Sequence, residues 1–247
     1  MQVVNSYTSF PTITFTSILE PYTPIYTFSA PREGGLTSGQ ALGNGIAPFC
    51  DGYKANVTTV TYQIDGTGRK YANVPVVASL LKNAQPSKTA NYGTNGGSTT
   101  ILIARFPTRT SGTAEIPAYS SLFDWKLYDA TGSTYMVAVD NTYTAGQITT
   151  AMGTGQTFGN FSSQFGKFAM WVTVVNGTTM SNYMNNVLQG TGTVTALSNR
   201  TTTNGNDYNF MNPLQGSADY MYYAHYDRPF TGSDLANVYN SVSMLLG

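Results

Sequence analysis

The sequence predicts an all-β fold: two antiparallel sheets packed as a sandwich, with one short helix at the C-terminal end. Three observations predict it. Charged side chains make up only 10% of the 247 residues. Thr, Ser, Asn, Gly and Tyr take their place, and these suit strands and turns more than helices. Alternating runs are short and stop at turn signals such as Asp65-Gly66 and Asn176-Gly177. Only the segment after Ser233 carries apolar residues at helical spacing. A chain of this length buries one large core, and all-β sandwiches of this size are commonly single domains. With 18 Tyr and 12 Phe, the composition is not that of a disordered chain.

Residues 1–50 differ from the rest. Pro11, Pro21, Pro24, Pro31 and Pro48 punctuate short Thr-rich runs, which forbids helix and favours extended segments or edge strands. This part reads as an extended N-terminal arm or as edge strands, and residues 51–247 as the sandwich. Val57–Ile64 alternates and ends at Asp65-Gly66, and Thr99–Phe106 reads as a buried strand stopped by Pro107. Leu122–Tyr128 puts Phe123, Trp125 and Leu127 on one face, then turns through Asp129–Gly132 into Thr134–Val139 as a hairpin. The Gly- and Thr-rich passage 144–166 offers loops and one strand. A second hairpin joins Phe168–Val175 to a strand through Leu188, with Asn176-Gly177 as a type I′ turn. Asn199–Asn209 is a polar loop. Asp219–Tyr226 is the last strand. In the closing helix Ser233 is the expected cap, Asp234 meets the positive end of the dipole, and Leu235, Val238, Tyr239, Val242 and Leu246 form one apolar stripe.

Two of these stretches resemble a known family. Met170-Trp-Val-Thr-Val leads through Asn176-Gly177 to Tyr183-Met-Asn-Asn-Val-Leu188, and Arg228-Pro-Phe-Thr-Gly-Ser-Asp-Leu-Ala-Asn-Val-Tyr239 follows the last strand. They are similar to the end of laminin G-like domains of the concanavalin A-like lectin and glucanase superfamily. There W-x-x-V leads to Y-x-N-G, and the final strand runs into R-x-L-S-x-x-E-I-x-x-L-Y. Asn186 stands in place of the family's glycine, Phe230 of its leucine and Asp234 of its glutamate. Asparagine tolerates positive φ, so the first departure is mild. The resemblance covers about 168–240, with a looser match from 99, and residues 1–50 have no counterpart. It implies a jelly-roll sandwich of two curved antiparallel sheets, in a family that mostly binds glycans or proteins. Its motifs are structural and name no ligand.

Little in the chain points to catalysis. Glycoside hydrolysis on such a fold needs two carboxylates facing the scissile bond, usually as E-x-D-x-x-E on one strand. Glu20, Glu33 and Glu115 are the only glutamates and lie far apart, while Asp124 and Asp129 fall in a strand and its turn. His225 is the only histidine and Cys50 the only cysteine. Without partners for a triad or a zinc site, both read as structural. Asp65, Asp140, Asp207 and Asp219 lie at strand ends, where calcium is held in this superfamily. No D-x-D-x-D-G loop is present, so no metal ligand is assigned and no cofactor is expected. The loop Asn204-Gly-Asn-Asp-Tyr208 has carbohydrate chemistry: Tyr208 offers a face to the C–H side of a pyranose, and Asn204, Asn206 and Asp207 offer hydrogen bonds to hydroxyls. Sequons at Asn56, Asn160, Asn176 and Asn199 are about as frequent as chance allows in this composition.

Twelve basic and twelve acidic side chains cancel, and no basic stripe is present, so nucleic-acid binding is not expected. No run approaches the length of a membrane span, and the first residues have no signal-peptide character. A neutral, hydroxyl- and amide-rich surface without disulfides is expected of a non-enzymatic virion structural protein: a minor capsid, decoration or fibre-associated subunit. Its arm would dock on other subunits and its lectin-like body would contact host glycans. The expected location is the virion, with an extracellular protein as the alternative. A stand-alone glycan-binding adhesion module is the second reading, and a polysaccharide hydrolase the remotest.

Overall fold

Gly97–Arg105, buried along all but its last residue, forms the central strand of the large sheet. In the computed structural model the described residues are 26–29, 37–41, 60–75, 81–84, 90–105, 119–126, 134–140, 147–152, 154–158, 166–193, 196–199, 208–210 and 218–247. In chain order the strands are β1 (Tyr26–Ser29), β2 (Thr61–Ile64), β3 (Lys70–Val74), β4 (Leu81–Ala84), β5 (Gly97–Arg105), β6 (Tyr119–Lys126) and β7 (Thr134–Asp140). They continue as β8 (Gln147–Met152), β9 (Thr154–Phe158), β10 (Ala169–Asn176), β11 (Thr179–Met184), β12 (Val187–Thr193), β13 (Tyr208–Phe210) and β14 (Ala218–Tyr226). One antiparallel sheet runs β12-β11-β10-β5-β14-β3-β2, and β1 pairs with β14 beyond the end of β3. A second sheet runs β6-β7-β8-β9, and β13 pairs with β4. β13 lies beside β6, and β9 lies close to β12. This is the all-β antiparallel sandwich that the sequence predicts, with one helix at the C-terminal end.

β5, β10 and β14 are buried on both faces, so none of them shows the apolar–polar alternation of a half-exposed strand. One face carries Ile101, Ile103, Met170, Val172, Val174, Tyr222, Ala224 and Tyr226 and packs against Leu235, Val238 and Val242 of the helix Gly232–Val242. Burying three such side chains contributes about 1.5–3 kcal/mol each. The opposite face carries Leu102, Trp171 and Tyr223 in one register row. The next row holds Asn182, Thr173, Thr100 and His225, all buried. Burial pushes the phenols of Tyr220 and Tyr226 above their ordinary range, so both stay protonated.

Turns depart from the sequence reading in instructive ways. The β10–β11 hairpin forms as expected, but Asn176 pairs with Thr179 and ends the strand. Gly177 has φ 57° while Thr178 is not among the residues of positive φ. The central pair is therefore Gly177-Thr178 with glycine first, the type II′ arrangement rather than type I′. The strand expected to run through Leu188 stops at Met184. Asn185 (φ 49°) and Asn186 (φ 66°) turn the chain into β12, and this pair carries the type I′ geometry. Passage 144–166 yields two strands, β8 and β9, where one was expected. Gly97 cannot be replaced freely, because at φ 152° a Cβ would collide with the carbonyl oxygen of Val175.

Thr231, not Ser233, caps the helix. Its Oγ1 accepts from the Asp234 amide at 3.3 Å, and Asp234 Oδ2 accepts from the Thr231 amide at 2.8 Å. Asp234 thus closes a capping box besides meeting the dipole. Leu245, in the 3₁₀ turn Ser243–Leu245, is buried, and Tyr239 and Leu246 pack at the margin.

Within residues 1–50, both described segments pair with the large sheet. β1 pairs with Tyr222–His225 of β14. Tyr62 donates its amide to Gln40 and accepts from Gly39 on the outer edge of β2. The prolines of this region lie outside the described residues.

Candidate functional site

Where β14 ends, three distant stretches of chain meet. His225 is fully buried on the sheet face opposite the C-terminal helix. Its Nδ1 lies 3.0 Å from Thr100 Oγ1 on the neighbouring strand, and its Nε2 lies 2.8 Å from the Tyr92 hydroxyl. A neutral imidazole has one N–H and one lone pair, and a hydroxyl serves either role, so this chain is satisfied in either tautomer. The arrangement makes His225 an anchor inside the fold. Tyr92 itself is buried and opens a single-turn helix, Tyr92–Asn95.

That turn is held from two more directions. Asp227 Oδ2 accepts from the Asn91 amide at 2.8 Å. Asn199 Oδ1 accepts from the Thr94 amide at 3.0 Å, and Asn199 Nδ2 donates to Thr94 Oγ1 at 2.8 Å. At Gly93 an added Cβ would lie 3.2 Å from Leu197 O and 3.3 Å from Asn199 Oδ1, so the two stretches touch backbone to backbone. Asn91, Thr94, Ser198 and Asn199 are exposed. The result is a rim of amides and hydroxyls around a buried Tyr–His–Thr anchor.

The polar loop nominated by the sequence starts at this rim. Asn204, Asn206 and Asp207 lie outside the described residues, and Tyr208 opens β13, where it pairs with Ala84 of β4. Of the residues flanking this stretch, Asn199 is bound to Thr94 and Tyr208 is paired with β4. Sequence reasoning missed the rim itself. Asn199 looked like a chance sequon, and nothing local marks Thr94 as its partner 105 positions away.

Other groups weighed from the sequence have structural partners. Asp65 accepts from the amides of Thr67 and Arg69 and from the Arg69 guanidinium at 2.8 Å. Asp219 pairs with Arg105 at 2.8 Å and accepts from Asn73. The Arg105 guanidinium stacks over Tyr71 and Phe168 at 4.8 and 4.5 Å. Burial alone would lower its pKa, but Asp219 outweighs this and raises it. Two of the four aspartates considered for calcium are thus engaged, and Asp207 lies outside the described residues. Among the described residues no three His, Cys, Asp or Glu side chains gather as a metal site, and no helix is long and apolar enough to cross a membrane. Glu20, Glu33, Glu115 and Cys50 lie outside the described residues.

No protein-family model and no curated protein matches the chain. Solved structures do. The botulinum neurotoxin serotype G binding domain superposes with a TM-score of 0.58 at 13% identity, covering 88% of this chain and 50% of that one. The binding domain of Paraclostridial mosquitocidal protein 1 gives 0.55 at 13%, covering 76% and 48%. A Trypanosoma rangeli sialidase in complex with 2,3-difluorosialic acid gives 0.53 at 15%, covering 90% and 33%. This chain thus spans half or less of each of those chains, and at such identities the likeness extends to the β-sandwich fold alone.

Proposed function

We propose that this chain is a non-catalytic glycan-recognition sandwich whose ligand contacts lie at the loop end, with Asn204, Asn206, Asp207 and Tyr208 supplying the sugar contacts. The observation that carries the proposal is the exposed rim of Asn91, Thr94, Ser198 and Asn199, fixed on the buried Tyr92–His225–Thr100 chain at the root of that loop. Amides and hydroxyls on a rigid rim suit the hydroxyl pattern of a sugar. The likeness in fold to solved binding domains supports the same reading. Against catalysis stands the engagement of Asp65, Asp219, Asp227 and Asp234, each holding a turn, an arginine or a helix end. Screening the full chain on a broad glycan array, with the wild type and Tyr208→Ala side by side, tests the reading. Saturable binding weakened by the substitution, with no sugar released from the bound glycan, is the expected result.

The second reading is the place of work: a virion, where this body would be a structural subunit joined to others through residues 1–50. The composition favours it, being neutral, hydroxyl-rich and free of disulfides. Counting the chain by quantitative mass spectrometry in salt-washed particles from its source tests that location. Tens or more copies per particle are expected, and absence from particles would leave an extracellular adhesion module.

A further inference from the structure

The two edges of the large sheet are finished differently. On β2 the outer edge is occupied: the Tyr62 amide donates to Gln40 at 2.8 Å and its carbonyl accepts from Gly39 at 2.7 Å. On β12 no strand among the described residues pairs with the side away from β11. Edge strands are normally guarded by charge, proline or a bulge. β12 holds no charged residue and no proline. Its one irregularity comes early, where Leu188 pairs with Tyr183 and Gly190 with Asn182, which leaves Gln189 without a partner on β11. Gln189 Nε2 turns back to the Val187 carbonyl at 2.9 Å. Beyond it Gly190–Thr193 runs as regular strand.

The lack of charge extends past this strand. Between Asp140 and Arg200 the sequence holds one charged side chain, Lys167, and this stretch supplies β8 to β12. It includes β9, the edge of the second sheet, which lies close to β12. At the start of β12, Val187 and Leu188 are 61% and 51% exposed. Leu188 stands beside Tyr183 on the helix side of the sheet, and Val187 beside Met184 on the other. Both faces of the edge therefore carry an exposed apolar side chain. Depletion of charge around exposed apolar groups is the composition of an interface core.

We infer that the β12 edge is an interface for a second copy of this chain, paired antiparallel about a two-fold axis. In a symmetric contact the same patch meets itself, so a charge on the edge would face a like charge. A different partner would be selected by opposite charge, and β12 offers none. An uncharged edge thus meets the requirement of self-pairing and lacks the means of choosing another protein. Antiparallel pairing brings the Val187-Leu188 end of one copy to the Gly192-Thr193 end of the other. So short a run makes a small contact, which belongs with weak interfaces, and the dimer forms in the micromolar range. The inference does not rest on glycan binding.

Sedimentation equilibrium of the full chain over a concentration series tests it, with Thr191→Lys/Thr193→Lys and Asn237→Lys beside the wild type. Thr191, Thr193 and Asn237 are exposed, so these substitutions leave the core untouched. The wild type and Asn237→Lys are expected to dimerise at micromolar concentration. The double-lysine variant is expected to dimerise at least tenfold more weakly, with its circular dichroism spectrum unchanged. Mixing it with Thr191→Glu/Thr193→Glu is expected to restore the dimer, because opposite charges then meet across the axis. A wild type that stays monomeric through the series overturns the inference. So does a double-lysine variant that dimerises as the wild type does, which would put the contact elsewhere. A mixture of the lysine and glutamate variants that stays monomeric, or assembly beyond the dimer, overturns the two-fold pairing.

Discussion

Asp65 holds four hydrogen bonds in the turn between β2 and β3, from the amides of Thr67 and Arg69, the Thr67 hydroxyl and the Arg69 guanidinium. Burial alone would raise the carboxyl pKa. The bonds from Thr67 and Arg69 outweigh it and hold the group at about 2, below its ordinary value of 3.8. A depressed carboxylate stabilises the fold fully above its unfolded-state value, and the contribution is lost as pH falls towards the folded one. Asp65→Asn is therefore expected to lower the thermal midpoint at neutral pH, with the gap to wild type closing between about pH 4 and 2. Thermal melts across that range check it, and a gap independent of pH would contradict the account. The Asp65-Gly66 turn was readable from the sequence. Arg69 was not readable as its partner, because an ion pair across a turn leaves no periodic trace.

At the scale of elements, turn chemistry decides how much of the fold can be read. The β10–β11 hairpin was legible because Asn176-Gly177 separates two apolar runs. Its exact turn residues were not, since glycine at either central position gives a hairpin and only the pairing of Asn176 with Thr179 chooses. Asn185-Asn186 is a turn written in two residues that tolerate positive φ, and it was read through as strand because Val187 and Leu188 extend the apolar run. β8 and β9 hide in Thr- and Gly-rich sequence with weak alternation. The helix cap shifted by two residues because Ser233 and Thr231 are both good caps, and only the reciprocal bond with Asp234 selects Thr231. Thr231→Ala is expected to cost about 1 kcal/mol, and Ser233→Ala much less. Denaturant unfolding of the two variants checks the order, and the reverse order would place the cap at Ser233.

For the whole molecule, a sandwich was foreseeable from composition and strand spacing, and the Asn176-Gly177 turn and the apolar stripe after Ser233 located its closing hairpin and helix. The site was legible only in part. The residues proposed for it at 204–208, amides beside a tyrosine, could be picked out because they are adjacent in sequence, but Asn204, Asn206 and Asp207 lie outside the described residues. Its scaffold could not be picked out, because 91–96, 197–199 and 225–228 come together only after β5, β10 and β14 have set the sheet. The central claim is that this end of the sandwich recognises sugars. The most direct measurement is equilibrium binding of the full chain to a broad glycan array, with the double variant Asn206→Ala/Tyr208→Ala beside it. The account predicts saturable binding to a defined set of glycans that the double variant loses while its thermal midpoint is unchanged. Binding that the double variant retains, or no binding across the array, would contradict it.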